Sequence, residues 1–120
     1  MITLPQIKLD WPSQPCWPNR KANWRDNRAS RSIQKDAAFY TAIGKGWQKP
    51  GPHVRGVHLS LTFCAPSQRR FDLDNALAAM KGAIDGLSAC LGVDDSRFTY
   101  TLRRGDPSRD GGVIVVAEVM

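Results

Sequence analysis

An α/β domain, one mixed sheet of about four strands with two helices, is the fold this sequence predicts, and three segments predict it. Val57, Leu59, Leu61 and Phe63 alternate with His58, Ser60, Thr62 and Cys64, the period of a strand with one buried face. Leu73, Leu77, Met80, Ile84, Leu87 and Leu91 recur at spacings of four and three, an apolar stripe along one side of a helix. Val113 to Val119 is β-branched and near-continuously apolar at its start, which suits a strand at the centre of a sheet.

In chain order, Ile7, Leu9 and Trp11 alternate with polar neighbours and predict a first short strand. Pro12, Pro15 and Pro18 then exclude a regular element and give an extended loop to Asn19. Ser32 is placed to cap a helix running to about Ile43, with Gly44 just past its end. Residues 44–52 carry three glycines and two prolines and read as turns. The strand of residues 57–63 stops at Pro66, and a polar turn leads through Arg69, Arg70 and Phe71 into Asp72. The striped helix runs to Leu91, with Gly92 as its C-cap. A strand follows from about Arg97 to Arg103, then a connection over residues 104–112, then the last strand. The order is β-α-β-α-β-β, with the final two strands expected to form a hairpin.

The 120 residues make one domain, 1–120, with no apolar run near the roughly 18 residues of a membrane span. The first residues lack a basic region followed by an apolar stretch, so the expectation is a cytoplasmic protein. Cys16, Cys64 and Cys90 are odd in number and match no zinc spacing; Cys64 and Cys90 read as small core residues of a reducing compartment. His53 and His58 fit no nucleophile or metal pattern. Seventeen Lys and Arg against eleven Asp and Glu give a net charge of +6, an excess that favours polyanionic partners.

Chemistry concentrates where Asp72, Asp74 and, twenty residues on, Asp95 accompany Arg69 and Arg70. Phosphodiester hydrolysis needs a nucleophilic water, charge neutralisation on the phosphoryl oxygens and a stabilised leaving alkoxide. Mg²⁺ held by a few hard carboxylate oxygens supplies all three. Two Asp at i and i+2 converge only on extended backbone, so Asp72 must precede the helix and Asp74 must lie at or near its cap. The competing role is structural. Asp is a common N-cap and a common turn residue, and taken singly each acid suits that role better.

Together these residues resemble the RusA-type Holliday-junction resolvases, small homodimeric endonucleases of bacteria and their phages. The resemblance rests on the block Arg-Arg-Phe-Asp-Leu-Asp-Asn at 69–75, on Ile84-Asp85-Gly86-Leu87, and on Gly92-Val93-Asp94-Asp95-Ser96-Arg97. The opening Ile7-Lys8-Leu9-Asp10-Trp11-Pro12 resembles the family's first strand, so the match covers nearly the whole chain. It implies that Asp72 and Asp74 are the acids of an Asp-x-Asp motif, that Asp95 is the third essential carboxylate, and that the cofactor is Mg²⁺, with Mn²⁺ as a substitute. It also implies a functional lysine on the helix. Lys81 is the candidate, though it lies six residues after Asn75, where some family members place the lysine three after. Its other role is an i,i+4 partner of Asp85.

The implied activity is resolution of four-way-junction DNA by paired nicks from a homodimer, whose two-fold axis matches two equivalent strands. Arg69, Arg70, Arg20, Lys21, Arg25, Arg28 and Arg31 would contact phosphates, which hold DNA without reading its sequence. A straight helix over 74–91 is about 27 Å long. Asp95 is therefore expected to reach the Asp72–Asp74 pair from the partner chain. Trp11 and Trp17 read as packing residues, and Phe71 as either a wedge for the junction centre or a buried ring. The alternatives are a nuclease of looser branched-DNA preference and a basic DNA-binding protein without catalysis.

Overall fold

The alternating segment forms β3 (Val57–Cys64) and the β-branched run forms β5 (Gly112–Val119). They pair antiparallel from Val57 beside Val119 to Cys64 beside Gly112. Against the other side of β3 lies β4 (Phe98–Arg104), parallel, from Phe98 beside Val57 to Arg104 beside Phe63. Two short strands, β1 (Ile2–Thr3) and β2 (Ile7–Leu9), line up antiparallel on the far side of β5. This computed structural model describes residues 1–18 and 24–120, so Arg20 and Lys21 lie outside the described residues.

The architecture is α/β with one mixed sheet, as predicted, and β5 is interior to it. Among the described residues the sheet has five strands rather than about four, and three α-helices stand where two were expected: α1 (Trp24–Gly44), α2 (Leu73–Ala79) and α3 (Lys81–Leu91). The predicted closing hairpin does not form, because β3 lies between β4 and β5. Residues 105–111 instead cross the C-terminal end of β3, where Gly105 N–H donates to the Phe63 carbonyl at 2.9 Å and Ser108 N–H to that of Ala65 at 3.0 Å. A link longer than the two to five residues usual in hairpins has room to step over a strand.

The first helix begins eight residues before Ser32, which sits exposed inside it rather than at a cap. Arg and Ala are good helix formers, and residues 24–31, with three Arg and one Ala, extend the helix N-terminally without an apolar periodicity to announce it. The striped helix is interrupted at Met80, whose φ and ψ are −94° and 8°. In a continuous helix the Ala83 N–H would donate to the Ala79 carbonyl. Here the amide of Gln34, from α1, enters that gap: its Nε2 donates to Ala79 O at 2.9 Å and its Oε1 accepts from Ala83 N–H at 3.2 Å. A side chain inserted in the ladder is a recognised cause of a kink.

The helices pack over the sheet face that carries Val57, Leu59, Leu61, Phe63, Val113, Val115 and Ala117, and Ala38, Ala42, Met80, Leu87 and Leu91 complete one contiguous core. Buried Cys90 joins it, while Cys64 is half-buried. Gly82 and Gly86 let α3 approach the backbone of α1 closely. Gly92 ends α3 in the left-handed region, φ 67°, as its position predicts. Among the described residues no helix is long and apolar enough to cross a membrane.

Candidate functional site

Strand direction gathers a set of side chains at one edge of the sheet. The C-terminal ends of β2, β3 and β4 and the start of β5 all lie there, which is where open α/β sheets tend to bind ligands. Trp11 follows β2, Phe71 and Asp72 follow β3, and Arg104 ends β4. Phe71 is half-buried, with its ring centroid 5.3 Å from that of Trp11 and 6.4 Å from that of Trp17. The Arg104 guanidinium lies 5.4 Å over the Phe71 ring and donates from Nη2 to the Phe71 carbonyl at 3.0 Å. In this structure the Phe71 ring packs within this cluster and stays half-exposed. Arg104 was not singled out from sequence; only the parallel register brings it to the site.

Asp72 is the N-cap residue of α2, with extended backbone (φ −88°, ψ 137°), and Asp74 lies in the first helical turn. Asp72 thus precedes the helix as expected, whereas Leu73 and Asp74 are already helical, so the backbone is extended only at the first of the two acids. Asp72 occupies the cap position without capping: its side chain accepts no hydrogen bond from the helix N–H groups and, among the described residues, accepts one from Asn75 Nδ2 at 3.4 Å. Both carboxylates are exposed and offer hard oxygen donors of the kind Mg²⁺ takes, with open positions for water and phosphate. Among the described residues no three His, Cys, Asp or Glu side chains stand together as a ready metal-ligand group.

The other acidic pair divides. Asp94 is a true cap, its Oδ1 accepting from Ser96 N–H at 2.8 Å, and that bond holds its carboxyl below the ordinary range. Asp95 instead meets Lys81. The Lys81 ammonium donates to Asp95 Oδ2 and, at 2.9 Å, to Asp85 Oδ1. Lys81 is thus both the i,i+4 partner of Asp85 and the tether of Asp95. The bonds to Asp95 and then Asp85 push its pKa above the ordinary lysine value of 10.5. A raised lysine pKa favours the folded state below that ordinary value, and the contribution fades only as pH climbs through the folded one. Asp95→Asn is expected to bring the Lys81 titration back down toward 10.5, followed by NMR of the lysine side chain. An unmoved titration would show that the contact with Asp95 does not form in solution.

Register separates the two clusters within one chain. Asp72 lies beyond the row where Phe63 pairs with Arg104, and Asp95 precedes the row where Val57 pairs with Phe98. Six strand residues separate those rows, about 20 Å. The structure thus joins Asp95 and Asp85 through Lys81 and leaves Asp72 and Asp74 at the start of α2, toward the opposite end of β3. Burial of the Tyr100 hydroxyl, with the Asp95 charge adding to it, raises its pKa beside the Lys81 cluster.

Arg69 and Arg70 flank Asp72 on the exposed loop, with neither guanidinium paired among the described residues. Arg25, Arg28 and Arg31 are exposed on the first half of α1.

No family model matches the chain. It is similar to an uncharacterized protein of Xylella fastidiosa strain Temecula1, 30% identical over 113 residues, covering 92% of this chain and 72% of that one.

Proposed function

The chain belongs to the family of that Xylella fastidiosa protein, and we propose that it is a Mg²⁺-dependent endodeoxyribonuclease that resolves four-way-junction DNA as a homodimer. The observation that carries the proposal is Asp72: an N-cap residue whose carboxylate caps no helix N–H and, among the described residues, meets the Asn75 side-chain amide, two residues from the exposed Asp74 and adjoining Arg69 and Arg70.

In this reading Asp72 and Asp74 hold the metal and Asp95 of the partner chain completes the donor set. Bound Mg²⁺ supplies water activation and charge neutralisation at the scissile phosphate. Arg69 and Arg70 hold the flanking phosphates, and Arg25, Arg28 and Arg31 steer the duplex arms. Lys81 is a positioning residue, fixing the Asp95 carboxylate through a charge-assisted bond. The same ion pair favours a second reading, a basic DNA-binding protein without catalysis, because it gives Asp95 a structural partner.

One assay separates the two. A synthetic four-way junction and a linear duplex are incubated with Mg²⁺ or EDTA, for the native protein and for Asp74→Asn. Paired symmetric nicks in the junction alone, abolished by EDTA and by Asp74→Asn while binding persists, are the expected result. Junction binding without cleavage under any metal condition would leave the non-catalytic reading standing.

A further inference from the structure

Beside Asp72 the half-buried rings of Trp11, Trp17 and Phe71 line a cleft of about 700 Å³. Trp11 and Trp17 lie 5.6 Å apart at an interplanar angle of 37°, and Phe71 stands edge-on to both. Trp17 is fixed in place by its Nε1–H, which donates to the Pro12 carbonyl at 3.1 Å. Gln14, Ser67 and Asn75 add polar groups to the lining, and Arg69 and Arg70 stand in its wall. The volume falls in the range of small-molecule sites, in a cleft that lies open to solvent. Each of the three rings is half-buried, and among the described residues their ring contacts are with one another and with Phe63.

We infer that this cleft seats one unpaired nucleobase, drawn from the DNA strand whose phosphate lies at Asp72 and Asp74. This rests on the nuclease reading above. The chemistry of the lining selects the occupant. A base brings a flat π-face for Trp17 and Trp11, ring-edge donors and acceptors for Gln14 and Asn75, and attached phosphates for Arg69 and Arg70. A purely apolar peptide would satisfy the rings and leave both guanidinium groups and the adjacent carboxylate facing it without partners. Base capture also gives a preference for branched over linear DNA without any sequence reading. The centre of a junction offers bases that come unstacked at low cost, whereas a duplex must be opened first.

The test measures binding in EDTA, so it does not depend on cutting. The probe is a four-way junction with two unpaired thymines at its centre, compared with the same junction carrying abasic residues at those two positions. Backbone charge is identical in both. The native protein is expected to bind the thymine form roughly tenfold more tightly, the scale of one base–aromatic stack. Trp17→Leu, which keeps apolar bulk but removes the flat ring, is expected to erase the preference, read as the ratio of its affinities for the two junctions. Trp17→Phe is expected to keep most of it. Equal binding of the two junctions by the native protein overturns the inference, and so does a preference undiminished in Trp17→Leu. The native comparison needs no variant to fold. A junction that is cleaved without base preference would defeat this inference alone, and a base preference without metal-dependent cleavage would defeat the nuclease reading alone.

Discussion

An equimolar mixture of Asp74→Asn and Asp95→Asn subunits is expected to cut a four-way junction, although neither variant alone does. The argument is geometric. Within one chain Asp72 and Asp74 follow the C-terminal end of β3, while Asp95 precedes the N-terminal end of β4, and the register sets those ends about 20 Å apart. On the proposed function, a metal bound by all three carboxylates would draw Asp95 from a second chain related by a two-fold axis. Each single variant spoils both sites of its own homodimer. Loss of one metal ligand removes several kcal/mol of transition-state stabilisation, so each is expected to fall roughly a hundredfold or more. In a mixed dimer both substitutions fall in the same site, and the other site is wholly native. Random pairing makes half the dimers mixed, with one intact site of two, which restores about a quarter of native activity. The products are single nicks rather than paired ones. Co-expression followed by a gel-based cleavage assay reads this directly, and a mixture as inactive as its components would place each complete site within one chain.

What the sequence made legible depended on whether the determining contacts were local. The alternation of residues 57–64 is a local pattern, and so is the apolar run that becomes β5; both strands appear where the pattern puts them. Gly92 needed only its own left-handed φ and the helix behind it. Asp94 needed only Ser96, two residues away. Apart from the early start of α1, the misreadings involve a partner remote in sequence. The break at Met80 is made by Gln34, 45 residues upstream of the Ala79 carbonyl it binds. The missing hairpin follows from β4 choosing the parallel edge of β3, a decision no turn sequence encodes. The candidate site divides the same way. Asp72 at the head of a helix was readable from the block 69–75, and the Lys81–Asp85 pair from its spacing of four. That Lys81 also holds Asp95, and that Trp11, Trp17 and Arg104 gather round Phe71, required the turn after Leu91 and the strand register.

Gly86→Ala is expected to destabilise the fold by about 2 kcal/mol, with a fall in Tm of roughly 8 °C for a domain of this size. On propensity alone the change should help, since alanine is favoured over glycine in a helix by about 1 kcal/mol. Space decides otherwise. A Cβ at position 86 would lie 2.3 Å from the Lys35 carbonyl oxygen and 3.1 Å from its carbon, and both are backbone atoms of α1 that no rotamer change can move. Relief requires α3 to back away from α1. One turn earlier, Gly82 faces the Arg31 carbonyl and the Gln34 side chain just as closely, so the movement also loosens the amide that bridges Ala79 and Ala83. Gly44→Ala is the control, because nothing lies within 4 Å of a Cβ there, and it is expected to leave stability unchanged or slightly raised. Urea and thermal unfolding of the three proteins decide the matter, and a Gly86→Ala protein as stable as the native one would mean that the two helices are not in backbone contact. Because α3 starts at Lys81, the same displacement carries the ammonium away from Asp95, so the stability loss should come with a lowered Lys81 pKa. Gly44→Ala should show neither.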